Sequence, residues 1–191
     1  MKFDIILAGV GGQGVLSVSA VIATAAMEEG LEVKQSEVHG MAQRGGAVLA
    51  NLRLSDKPIA SDLIPLGRAS LILSMEPLEA LRYLPYLSPE GSLITSLHPV
   101  HNIPDYPSID DVLANLRKVP HAALVDSDTI AREVGSVRAT NMVMVGAASR
   151  VLPLQPVTLE RFISRQFASK GEKVVEHNLH AFRAGRAAAT Q

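Results

Sequence analysis

The segment Phe3-Asp4-Ile5-Ile6-Leu7-Ala8-Gly9-Val10-Gly11-Gly12-Gln13-Gly14 decides the fold. Phe3–Ala8 is a nearly continuous apolar run, the pattern of a strand covered on both faces by helices. Gly9-x-Gly11-x-x-Gly14 then turns the chain into a helix that runs to Glu29 and is rich in Ala, Val, Ile and Ser. Gly30 stands where a helix-ending glycine belongs. Glu32–Val38 follows as a second strand and completes a βαβ unit. A glycine turn between strand and helix exposes backbone N–H groups and lets an anion approach the positive helix end.

A dinucleotide enzyme built on this turn needs an acid at the end of the second strand to hold the ribose. Glu32 is too early. Glu37 is near the end, but it falls within an unusual second glycine segment, Ser36-Glu37-Val38-His39-Gly40-Met41-Ala42-Gln43-Arg44-Gly45-Gly46. Ala47–Leu54 then reads as a strand, closed by the turn signal Ser55-Asp56-Lys57-Pro58. The loop before it is too short for a parallel crossover, so this strand should run antiparallel in a mixed sheet.

Further along, Ala69–Ser74 is a buried strand. Glu76-Pro77 opens a helix with proline at its first position. Pro85 and Ser88-Pro89-Glu90-Gly91 end that helix, and Ser92–Ser96 is the next strand. His98–Pro107 is a proline-rich loop. Ser108-Ile109-Asp110-Asp111 has the form of a capping box before the stripe Val112, Leu113 and Leu116. Ala122–Val125 is a short strand, with Asp126 or Ser127 as a cap. The rest is helical, with faces at Met142, Val143 and Val145, at Leu159, Phe162, Ile163 and Phe167, and at Val175, Leu179 and Phe182. The expected fold is α/β: a three-layer α/β/α domain with a mixed, Rossmann-like sheet. One domain spans residues 1–191, with its core over about 1–150 and a helical C-terminal extension over about 151–191.

Composition narrows the function. The chain has 191 residues, a formal charge of −1 and seven aromatic side chains, a poor footprint for nucleic acid. No apolar run approaches the roughly 20 residues of a membrane span. The N-terminus lacks a signal-peptide pattern, and a cytoplasmic location is expected. There is no cysteine, hence no thiolate zinc site, iron–sulfur cluster or catalytic thiol in this chain.

Glu37 and His39 lie two apart in an extended segment and share a face. Arg44, followed by Gly45-Gly46, offers a fixed cation and open amides to a phosphate or carboxylate. The same residues also fit a purely structural role, with an ion pair from Glu37 to Arg44 stapling the loop. Two ligands do not make a metal site, and none is expected; His98 and His101 read as solvent-exposed. No residue stands out as catalytic.

The two glycine segments closely resemble the small subunit of indolepyruvate ferredoxin oxidoreductase, which belongs with the gamma domain of the 2-oxoacid:ferredoxin oxidoreductases. Glu76-Pro77-Leu78-Glu79-Ala80-Leu81-Arg82-Tyr83 and Asn141-Met142-Val143-Met144-Val145-Gly146 are similar to this family too, and the likeness runs from about residue 3 to about 180. The resemblance implies a subunit of an enzyme that oxidatively decarboxylates aryl pyruvates, a branch of pyruvate metabolism. It implies a large partner carrying thiamine diphosphate and 4Fe–4S clusters, electron delivery to ferredoxin, and coenzyme A as acyl acceptor. It makes Gly11, Gly12, Gln13, Gly14, Arg44 and Gly45 the expected contacts for coenzyme A phosphates, with Glu37 and His39 as secondary ones. It also implies no cofactor bound by this chain alone, and no activity alone. The C-terminal faces, with Phe162, Phe167, Leu179 and Phe182, are expected to be exposed when the partner is absent. Two rival readings are a free-standing NAD(P)-dependent oxidoreductase and a non-enzymatic partner-binding module.

Overall fold

The structure, a computed structural model, describes residues 1–39 and 45–189, the His39 side chain excepted. The strands are β1 (Lys2–Val10), β2 (Glu32–His39), β3 (Ala47–Ser55), β4 (Ala69–Ser74), β5 (Leu87–Ser96) and β6 (Ala122–Val125). The helices are α1 (Val15–Glu28), α2 (Pro77–Arg82), α3 (Ile109–Leu116), α4 (Ser127–Glu133), α5 (Thr140–Ala148), α6 (Pro156–Phe167) and α7 (Glu172–Ala188). The strands form one mixed sheet in the order β2-β3-β1-β4-β5-β6. β1, β4, β5 and β6 are parallel neighbours, while β3 is antiparallel to both β1 and β2.

β3 is therefore the antiparallel strand that its short connection demanded. It enters between β1 and β2, which run in the same direction but do not touch. The expected βαβ unit is thus split by one strand. β3 pairs on both sides, from Lys2↔Ser55 to Val10↔Ala47 and from Glu32↔Ser55 to His39↔Val48.

Alternation along β1 shows how the layers form. Ile5 and Leu7 face one core with α1, α5, α6 and α7, joined there by Leu52, Leu73 and Phe182. Ile6 faces the other, with Ile72, Leu93, Val112 and Leu116. Each successive side chain points to the opposite face, so a strand buried on both sides is apolar throughout. Asp4 is the exception, and it is paired: Arg53, its register partner on β3, donates from Nε at 2.9 Å and from Nη2 at 3.1 Å to its two carboxylate oxygens.

Three expectations change. Strand β5 begins at Leu87 and includes Ser88-Pro89-Glu90-Gly91, which reads as a turn. Its register slips, with Ala69 opposite Leu87 but Leu71 opposite Ser92, and such an irregularity admits the proline. Ser108 precedes α3 but makes no capping bond with its side chain. Finally, Phe162, Phe167 and Phe182 are buried at 8 %, 8 % and 0 % exposure, with Leu179 packed beside them. They are interior residues, not a face awaiting a partner: α6 and α7 close over α1 and α5 and finish the core. Among the described residues, no helix is long and apolar enough to cross a membrane.

Candidate functional site

Gly45-Gly46, the end of the second glycine segment, meets the first segment at the carboxyl end of β1. Gly11 N–H donates to the Gly46 carbonyl at 2.8 Å, and Gly45 N–H donates to the Gly11 carbonyl at 3.4 Å. The β1–β3 ladder thus continues one step past Val10↔Ala47 and lays Gly45 beside the turn. Gly12 (φ 103°) and Gly14 (φ 80°) take left-handed backbone that other residues rarely adopt. Above Gly12 the space is open. Among the described residues, the N–H groups of Gly12 and Gly14 have no hydrogen-bond acceptor, and α1 begins immediately afterwards with no acidic residue in its first turn.

Gln13 works inward. Its Oε1 accepts from Val10 N–H at 2.8 Å and its Nε2 donates to the Met75 carbonyl at 3.0 Å. The side chain closes the turn and ties it to the end of β4. What the turn offers outward is backbone, chiefly Gly12, Gly14 and the first turn of α1. Such donors at a helix N-terminus suit a phosphate or carboxylate.

Glu37 and His39 are elsewhere. They occupy alternate positions of the edge strand β2, opposite Ala50 and Val48. Because β3 intervenes, they stand two strand spacings, about 10 Å, from β1. Glu37 is exposed and its carboxylate accepts from the Gln35 side chain. At the end of β2, where a dinucleotide enzyme places its ribose-holding acid, Glu37 is separated from the turn by β3, and Glu76 beyond β4 is buried and engaged by the protein's own groups, so among the described residues the arrangement a dinucleotide enzyme uses is not formed. Arg44, and with it the Glu37–Arg44 staple, lies outside the described residues.

The proline-rich loop after β5 closes one side of the site. Asn102 Nδ2 donates to the Gly45 carbonyl at 2.8 Å. Glu76, 1 % exposed, accepts from Val100 N–H at 3.3 Å and from the Tyr106 hydroxyl, while its other oxygen caps α2 through Glu79 N–H at 2.8 Å. Burial first, and then the bond to Glu76, push the Tyr106 hydroxyl well above its ordinary range. His98, expected to be solvent-exposed, keeps part of that exposure and also bonds through Nε2 to Asp126 Oδ1 at 2.7 Å. That hydrogen bond lowers the Asp126 carboxyl below its usual range. Asp126 also caps α4, accepting from Thr129 N–H at 3.1 Å. Between these elements lies a small cavity of about 80 Å³, lined by Gln13, Met75, Ser96, His98, Thr140 and Met144 among others. Among the described residues, no group of three His, Asp or Glu side chains is disposed to hold a metal.

Sequence reasoning missed His98–Asp126, Tyr106–Glu76 and Asn102–Gly45 because each joins separate elements. The one local signal was the density of proline over 98–107, which marks a loop of restricted shape.

These features define a class: a three-layer α/β/α domain with an anion-ready glycine turn and no cysteine to hold a redox centre of its own. The family model described as pyruvate ferredoxin/flavodoxin oxidoreductase matches residues 4–188. The indolepyruvate oxidoreductase subunit IorB of Methanothermobacter thermautotrophicus is 37% identical over 198 residues, with 100% of both chains covered. The subunit of the same name from Archaeoglobus fulgidus is 38% identical over 97% of this chain and 94% of its own. Among solved structures, the 2-oxoglutarate:ferredoxin oxidoreductase of Magnetococcus marinus, with 2-oxoglutarate, coenzyme A and succinyl-CoA bound, matches with a TM-score of 0.78 at 24% identity. The match covers 98% of this chain but 31% of that one, so the fold seen here makes up about a third of the larger chain. The present chain belongs to the pyruvate ferredoxin/flavodoxin oxidoreductase family, as a small, gamma-type subunit.

Proposed function

We propose that this chain is the small subunit of an indolepyruvate:ferredoxin oxidoreductase, an enzyme that converts aryl pyruvates to aryl-acetyl-CoA and passes the electrons to ferredoxin. The observation that carries this reading is the end-to-end likeness to subunits named for indolepyruvate. The division of labour follows from composition. A chain without cysteine cannot ligate iron–sulfur clusters through thiolates. The clusters are therefore assigned to a large partner; the family resemblance assigns thiamine diphosphate to that partner too, and we place the assembly in the cytoplasm.

The role we assign to this chain is to hold coenzyme A. Its diphosphate would meet the N–H groups of Gly12, Gly14 and the first turn of α1, with Gly45 alongside and Arg44 as the counter-charge. Gly11 and Gln13 shape that cradle rather than donate to it, since their hydrogen-bonding groups are engaged within the turn. Glu37 and His39 on the edge strand are better placed to meet the partner or an outer part of the ligand.

The test is reconstitution. Dye reduction dependent on indolepyruvate and coenzyme A is expected when this chain and a large thiamine- and cluster-bearing subunit are combined, and from neither alone. Turnover by this chain alone, or tight binding of a nicotinamide dinucleotide to it, would overturn the reading.

A further inference from the structure

Helix α1 is as free of charge as a buried helix but is not covered like one. From Val15 to Met27 it carries no ionisable side chain, and Glu28 ends it. A helix apolar on all sides is normally enclosed on all sides. α5 follows that rule: it too lacks charge, and Asn141 to Ala148 are all buried. α1 is covered where it meets the sheet, α5 and α6, but Leu16, Ala20 and Met27 are exposed on its outer side, Met27 at 55 %. They fall at i, i+4 and i+11, one stripe of a helix. Thr24 fills the gap in that stripe. Its hydroxyl donates to the Ala20 carbonyl at 2.7 Å, which leaves the methyl group as its contribution to the face.

α6 lies antiparallel beside this stripe. Gln166 Nε2 donates to the Ser17 carbonyl at 3.4 Å near one end of α1, and Arg161 Nη2 donates to Glu28 Oε1 at 2.8 Å at the other. Val157, 72 % exposed, stands at the start of α6, towards the Met27 end. Arg161 and Arg165 lay their guanidinium groups over the Phe162 ring, 5.5 and 5.0 Å from its centre. Arg165 has no carboxylate within ion-pair distance among the described residues. The outcome is an uncharged stripe edged on one side by arginines held against an aromatic ring. Protein interfaces have this composition, enriched in Met and Arg and poor in Lys, Glu and Asp.

We infer that the outer face of α1, with the Arg161–Arg165 edge of α6, is the surface on which the large subunit docks, through an apolar patch bordered by carboxylates. The inference rests on the reading of this chain as a small subunit. Two observations select that occupant. α1 starts at the glycine turn, and coenzyme A held there must bring its thiol to an acyl group carried by the large subunit, so the surface bordering the turn has to face that subunit. Charge disfavours a second copy. Stacking α1 antiparallel on its own image, the arrangement that opposes the helix dipoles, brings the arginine edge of α6 over the same edge of the copy.

The experiment measures the affinity between the two separately purified subunits by calorimetric titration, with the melting temperature of each variant of this chain beside it. Ala20→Glu puts a carboxylate in the middle of the stripe. It should weaken the complex about thirtyfold or more, the scale of a lost interface centre, and leave the melting temperature nearly unchanged because Ala20 is exposed. Met27→Ser, which adds no charge, should weaken it about tenfold and serves if Ala20→Glu folds poorly. Arg165→Glu should weaken the complex and flatten its dependence on salt. Leu66→Glu, in the exposed loop before β4 at the other end of the sheet, should change nothing.

Unchanged affinity in the α1 and α6 variants of a chain that binds overturns the inference alone. So does equal weakening by Leu66→Glu, or tighter binding by Arg165→Glu, which would mean a basic rim on the partner. An isolated chain that sediments as a dimer, split by Ala20→Glu while its complex with the large subunit forms normally, assigns the face to a second copy and also overturns it. Failure of the wild-type chain to bind a thiamine- and cluster-bearing large subunit removes the small-subunit reading, and this docking surface with it.

Discussion

Gly146 of α5 lies directly against the backbone carbonyl of Phe182 on α7: a methyl group at position 146 would stand 1.9 Å from that oxygen. The relationship is reciprocal, for a methyl at Gly185 would stand 2.0 Å from the Val143 carbonyl. The two helix backbones touch because both contact positions lack a side chain, and Phe182 is carried into the core with no exposure at all.

Gly146→Ala or Gly185→Ala should therefore push α7 off α5. Overpacking of this kind typically costs 1–3 kcal/mol, and backbone against backbone puts it at the upper end, about 3 kcal/mol. Thermal melting of the purified chain measures it. A change below about 0.5 kcal/mol would show that the helices can shift apart without loss.

Truncation after Lys170 follows from the same contact. It removes α7 and uncovers Phe162, Phe167 and much of α5. The shortened chain should lose cooperative melting and aggregate, rather than fold normally and merely assemble poorly. A shortened chain that melts sharply near the wild-type temperature would mean that residues 171–191 are an appendage after all.

The Asp4–Arg53 pair is 2 % and 7 % exposed, and Arg53 Nη1 also donates to the carbonyls of Ser61 and Leu63 at 2.9 and 2.8 Å. Removing one partner leaves a buried charge without its counterpart. Asp4→Ala should destabilise the chain by about 3–5 kcal/mol and loosen the loop before β4. Denaturant titration reads the first effect, and proteolysis near Leu63 the second.

The Glu160–Arg183 pair joins α6 to α7 through two hydrogen bonds, at 2.9 and 2.6 Å. The hydrogen bond and charge of Arg183 hold the Glu160 carboxyl below its usual value of 4.5. A depressed folded-state pKa means that the contribution is present above the unfolded value and is lost as pH falls through the folded one. Glu160→Gln should cost about 0.2–1 kcal/mol near neutral pH, the range of exposed pairs. The difference from wild type should shrink as pH drops below about 4. Melting temperatures over pH 3–7 check this; a gap that widens in acid would contradict it.

Arg44→Ala should raise the coenzyme A requirement of the assembled enzyme about tenfold to hundredfold, the loss of roughly 1.5–3 kcal/mol of charge-assisted bonding. Arg44→Lys should restore part of it if the contact is bidentate. If assembly or melting fails while the surviving complex titrates normally with coenzyme A, then Arg44 staples the loop instead.

Much of the architecture was legible in the residues because it depends on local periodicity and steric rules. The apolar run of Phe3–Ala8, the glycine turn, Pro77 at a helix start and the short connection before Ala47 each specify a nearby geometry whatever surrounds them. The antiparallel sense of β3 was therefore accessible, but its place between β1 and β2 was not, and that place moved Glu37 and His39 away from the turn. Whether Phe182 packed inside or faced a partner could not be read from a helical stripe, since the stripe says that a face is buried, not against what. The inward use of Gln13 and the bond from His98 to Asp126 join residues far apart in the chain. Those pairings are set by how the layers close, by volume and hydrogen-bond satisfaction together, and only the tertiary structure decides them.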